Sequence, residues 1–137
     1  MNIFTYATSL FMILGVYFVV KNRSNISNMK REVLLYSVVP SIIFGAIGHL
    51  LLGKQVRSSM GWKDTDGVVT LQRELGLFTV ALLIVAVFKL DINVGLVWGL
   101  FLIFAGINHL IVQKKVGSVS IADIVYGGFL VGVFYRR

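Results

Sequence analysis

The chain contains no cysteine, which removes disulfides, thiolate nucleophiles and cysteine-held metal clusters from consideration. Charge is scarce as well: 14% of the 137 residues are Asp, Glu, Lys or Arg, where soluble domains average about 25%. There is one proline, Pro40, and there are two histidines, His49 and His109. So few charges cannot cover a globular surface, and no connecting segment is long enough to bury a soluble core of its own. The absences point to one membrane domain spanning residues 1–137.

What the chain does have is apolar length. Hydrophobic residues make up 57% of it, and the mean hydropathy is +0.86. Five apolar runs, at about 3–20, 33–53, 71–88, 94–112 and 119–135, are separated by polar breaks. A helical span needs about 20 residues, within a range of roughly 17–25. The expected fold is therefore an all-α five-helix transmembrane bundle. The last run is short and holds Asp123, and without it the bundle would have four helices. The first run has no basic residues before it and no small-residue cleavage site, so it reads as a span and not as a cleaved signal.

The net charge of +7 and pI near 10 raise the question of nucleic acid. The basic residues sit in short loops, as at 21–31, Lys114-Lys115 and Arg136-Arg137, with no basic face interleaved with aromatics. Loop cations of this kind set topology and meet lipid headgroups. The expected partner is the lipid bilayer, not nucleic acid, and a homo-oligomer or membrane complex is left open. The cluster at 21–31 places the first loop in the cytoplasm, with the N-terminus outside and the C-terminus inside a plasma membrane.

The second and fourth runs resemble each other. Residues 43–54, IFGAIGHLLLGK, align with 103–114, IFAGINHLIVQK, and Ile, Phe, Ile, His, Leu and Lys are identical. Both histidines of the protein fall on matching positions. Two crossings separate these runs, so they are parallel, and a pseudo-repeat of helices 2–3 and 4–5 is expected. Each histidine stands near the end of its span, and each following span opens with an acid, Glu74 or Asp123. Alternate crossings bring all four to one membrane face. Ser37, Ser41, Gly45 and Gly48 lead to His49 at helical spacing, as Gly95, Gly99, Leu102 and Gly106 lead to His109, so both rings should face a neighbouring helix.

Two readings of this constellation stay open. In one, the acids and histidines serve their own helix ends, with Ser120-x-x-Asp123 as a capping box, and the protein is a structural or accessory membrane subunit. In the other, His49, Glu74, His109 and Asp123 form an intramembrane polar site. Two imidazoles and two carboxylates suit a divalent metal or a proton relay. Two level histidines also suit axial ligation of haem or contact with a quinone.

The remaining signals are softer. Trp62 and Trp98 are expected as interfacial anchors on opposite sides. Arg73 either reaches the headgroups or pairs with a carboxylate across the site. Gly95/Gly99 and Gly128/Gly132 have the small-xxx-small spacing of close helix contacts. Pro40 should bend its span by freeing the carbonyl of Tyr36. Lys63-Asp64-Thr65-Asp66-Gly67 reads as a turn, since its glycine comes too early for a calcium loop and no glutamate closes it. No nucleophile–base pair or phosphate loop is visible, so hydrolase or nucleotide chemistry is not expected.

These residues resemble an uncharacterised family of small prokaryotic multi-pass membrane proteins. Its motifs are a His in one span, then Gly-Trp, Gln-x-Glu-x-Gly, Gly-x-x-His and a final Asp. Here they correspond to His49, Gly61-Trp62, Gln72-Arg73-Glu74-Leu75-Gly76, Gly106-Ile107-Asn108-His109 and Asp123. The resemblance implies the membrane fold and a site including Gln72, Arg73 and Trp62, and no activity. The family's Ser-Pro-Phe before the Gln is missing, replaced by a longer segment at 63–71.

Overall fold

The computed structural model describes every residue except 1, 115 and 137. Lys115 and Arg137, counted above among the loop cations, therefore lie outside the described residues. The elements are α1 (Ile3–Lys21), α2 (Ile26–Val33), a π-helical turn (Leu34–Val38), α3 (Val39–Leu50), α4 (Gly53–Met60), α5 (Asp66–Lys89), α6 (Asn93–Gln113) and α7 (Ser118–Tyr135). No strand occurs among the described residues. Among the described residues, five helical segments have the length and hydropathy to cross a membrane: α1, the continuous Ile26–Leu50, α5, α6 and α7. The chain is an all-α, multi-pass membrane bundle.

The second span is displaced from the expected 33–53. It starts at Ile26, capped by the Asn25 side chain on the backbone N–H of Asn28, and stops at Leu50. The polar stretch before Val33 continues the helix because it has a partner at the membrane surface. Glu32 meets Lys21 at 3.3 Å and accepts from Asn22 Nδ2 at 2.7 Å. Pro40 acts through the π turn: Val39 N–H reaches back five residues to the Leu34 carbonyl. The widened turn makes room for the proline ring, which would otherwise crowd the Tyr36 carbonyl.

The third span is longer than the expected 71–88. Thr65 caps α5 through its side chain, and Asp66 sits in the first turn. The added residues before Gln72 thus become extra helical turns. Between the second and third spans lies α4, a short polar helix that hydropathy alone did not separate. Gly61 ends it at φ 69°, a conformation glycine adopts without steric cost.

The most extensive helix packing is α6 on α7 and α3 on α5. Gly99 and Gly127 are the contact point of the first pair, since a Cβ on Gly99 would come 3.0 Å from the Gly127 carbonyl. Gly128 and Gly132 correct the spacing argument: a Cβ on either meets nothing within 4 Å. The core, including Val33, Leu34, Val38, Ile42, Leu130, Val133 and Phe134, fills the half of the bundle away from the histidines.

Candidate functional site

Crossing direction sets which groups share a face. Thr5 at the start of α1 meets Ser118 at the start of α7, with 3.0 Å between their hydroxyls. At the opposite end Lys30 Nζ donates to the Arg136 carbonyl. The face holding the start of α1 therefore also holds the ends of α3 and α6, and both histidines lie there.

Between these helix ends is a cavity of about 140 Å³. His49, His109 and Asp123 line it, together with Trp62, Ser41 and an aromatic wall of Phe4, Phe11, Phe44, Trp98 and Phe101. Trp62, just past the end of α4, stands edge-on to His109 with ring centroids 5.9 Å apart. The volume is small beside the roughly 300–1,000 Å³ of pockets for drug-sized ligands. It holds several waters or one small molecule, and as it stands it is too small for a porphyrin.

The two imidazoles differ in what they touch. Nδ1 of His49 lies 3.5 Å from Gln72 Nε2. Gln72 Oε1 accepts from Arg57 Nη1 at 2.6 Å, and Arg57 is held by Asp64, with Nε–Oδ1 at 2.8 Å and Nη2–Oδ1 at 2.7 Å. His109 has no such partner. Its Nδ1 is buried and makes no hydrogen bond among the described residues, an arrangement that costs about 1–3 kcal/mol when nothing satisfies the group.

Several expectations change at this point. Glu74 is exposed and does not line the cavity. On α5 the inward positions are Gln72, Gly76 and Thr79, and two residues of helix turn Glu74 about 200° from Gln72. Arg73 is exposed too. The partner of His49 is therefore an amide, not a carboxylate. Among the described residues, no group of three or more His, Asp or Glu side chains could hold a metal ion.

The helix-end reading of the acids also gives way. The N-cap of α7 is Gly117 and the helix starts at Ser118, so Ser120 and Asp123 are inside it and form no capping box. Asp66, not Glu74, occupies the first turn of α5. Trp98 is no interfacial anchor: it is 4% exposed and donates to Ser41 Oγ at 3.0 Å. Arg57 was not singled out by the sequence. Its signal is a cation on a short polar helix one loop away from Gln72.

Beneath the cavity, Ser37 Oγ donates to the Phe11 carbonyl at 2.7 Å and lies 2.9 Å from Tyr126 Oη. Serine has one hydroxyl proton, so Tyr126 is the donor in that pair. Tyr126 and Ser37 are fully buried, and below them the core is apolar. Polar groups thus reach from one face to mid-depth and stop.

Comparison with known proteins gives no match among family models, curated proteins or solved structures. The family resemblance rests on the motif residues alone. Of these, His49, Trp62, His109 and Asp123 line the cavity, and Gln72 supports His49 from behind.

Proposed function

We propose that this membrane protein binds a small, largely apolar molecule bearing a polar group in the cavity between α1, α3, α4, α6 and α7. The carrying observation is the convergence of His49, His109 and Asp123 on one aromatic-walled space, with a histidine nitrogen left unpartnered beside it. Ionisable side chains are costly inside a bilayer and persist there mainly where they act. His49, His109 and Asp123 are the groups that would bond the ligand's polar end and exchange protons with it. The basic cluster at 21–31 supports an orientation with this cavity at the outer face of the plasma membrane.

A quinone head group is the specific reading that the aromatic wall favours, because a flat ring stacks between Phe and Trp faces while its oxygens seek polar partners. The two helix pairs are read as a duplicated unit, supported by the matched histidines and by the pairing of α3 with α5 and of α6 with α7. The duplication does not extend to the acids, since Asp123 lines the cavity and Glu74 does not.

Trp62 and Trp98 are the only tryptophans and both line the cavity, so intrinsic fluorescence reports its occupancy. Protein purified in mild detergent should release a small organic molecule on extraction, or change its emission on titration with a short-chain benzoquinone. Ala105→Phe, which fills the space from α6, should abolish both. Identical extracts and identical titrations for the native protein and Ala105→Phe overturn the reading.

A further inference from the structure

We propose that Asp64, Arg57 and Gln72 form a positioning relay that holds His49 as the Nε2–H tautomer, so that the cavity offers a hydrogen-bond donor to an acceptor oxygen on its ligand. This rests on the reading of the cavity as a ligand site and adds the chemistry that the ligand must carry there.

A guanidinium has only N–H donors, so the group of Gln72 that Arg57 meets at 2.6 Å must be the carbonyl oxygen. The amide nitrogen of Gln72 is then the atom turned to His49, at 3.5 Å from Nδ1. That nitrogen has only protons to give, so Nδ1 must accept. A neutral imidazole accepting at Nδ1 carries its proton on Nε2, at the other edge of the ring. The Nε2–H is thereby the donor that this cavity-lining residue has to offer.

Each link is held by a different element. His49 ends α3, Arg57 lies on α4 and Gln72 on α5. Asp64 pins Arg57 through two nitrogens, and the next residue, Thr65, caps α5. Gly53 leaves the room that the relay needs, since a Cβ there would stand 3.2 Å from both Arg57 Nη1 and Gln72 Oε1. Arg57 is largely covered, with 12% of its side chain exposed. His109, with Nδ1 unpartnered, has no counterpart of this relay. The two rings are therefore unequal: one has a polar group behind its Nδ1, and the other has none among the described residues.

The protein has two histidines, so ¹⁵N-histidine labelling in nanodiscs gives two rings to assign, and His109→Gln identifies His49. The expected ligand-free spectrum shows His49 as Nε2–H. Gln72→Glu replaces the amide donor by a carboxylate acceptor and should move the proton to Nδ1. Asp64→Asn, in an exposed loop, is the milder variant and should give a mixture of the two tautomers. A native Nδ1–H tautomer, or an unchanged tautomer in both variants, overturns the relay.

On the ligand side, a short-chain benzoquinone, which only accepts, should quench the tryptophans about five- to tenfold more tightly than its hydroquinone. Gln72→Glu should erase that preference. A quinone-to-hydroquinone ratio that is the same in the native protein and in Gln72→Glu overturns the donor assignment. A correct tautomer with no response to either probe condemns the cavity reading and leaves the relay standing.

Discussion

Trp98 on α6 donates its indole N–H to Ser41 on α3 at 3.0 Å, inside the bundle and at the cavity wall. This bond fixes the ring that stacks on Phe101, with centroids 5.2 Å apart, and so sets the shape of the aromatic side of the site. Its neighbour in depth is the Tyr126–Ser37 pair. With the bond from Ser37 to the Phe11 carbonyl, they tie the second span to α6, α7 and α1 where hydrophobic exclusion does not hold helices together.

Trp98→Phe keeps most of the ring area and removes the donor. The expected loss is about 0.6–2 kcal/mol, the range of interhelical hydrogen bonds in bilayers, read as a lower unfolding midpoint in detergent. It also leaves Trp62 as the sole fluorophore and separates the two emission signals. A midpoint equal to that of the native protein would show that the bond contributes nothing to stability.

The glycines of α7 make a sharper pair. A Cβ on Gly127 would come 2.5 Å from the Gly99 carbonyl, whereas one on Gly128 meets nothing within 4 Å. Gly127→Ala should force α6 and α7 apart and cost about 1–3 kcal/mol, while Gly128→Ala should be neutral or slightly stabilising. Equal thermal stability of the two variants would contradict the helix contact.

Much of this architecture can be read in the sequence, and the unread parts have a common cause. The spans follow from hydropathy, and the shared depth of His49 and His109 follows from counting crossings. Facing is another matter, because it depends on where each helix begins. Glu74 looked like the acid opening a span from residue 71, but α5 starts at Asp66 and turns Glu74 outward. The spacing of Gln72 and Gly76, four apart on the same face, was the available signal. Trp98 was assigned to an interface by residue type, yet the neighbouring small residues Gly95 and Gly99 mark its side of α6 as the packed one. The relay through Arg57 needed α4, whose polar sequence carries no hydropathy signal.

Orientation is open to direct measurement because the native chain offers no thiol. Ser24→Cys and Val116→Cys both fall in exposed connections, at opposite ends of the bundle. A membrane-impermeant maleimide applied to intact cells should label position 116 and leave position 24 untouched until the membrane is opened. Labelling of both from the outside rules out an odd number of crossings between them, and labelling of 24 alone inverts the topology.

The two acids at corresponding places after the histidines carry opposite expectations. Asp123 lines the cavity two residues before Val125 and three before the buried Tyr126, so its carboxyl belongs to the inward side of α7. Glu74 is exposed on α5, and its removal leaves every cavity contact in place. Asp123→Leu keeps a side chain of similar reach while removing every hydrogen-bonding atom, and it should weaken the benzoquinone response of the tryptophans about tenfold, the cost of a lost hydrogen bond to the ligand. Glu74→Gln should leave the same titration within error of the native curve. Because Asp123→Leu and Glu74→Gln each remove one acid and introduce a good helix former, a difference between them reports the site and not the fold. A matching loss in Glu74→Gln would return Glu74 to the site and refute the facing of α5 described above.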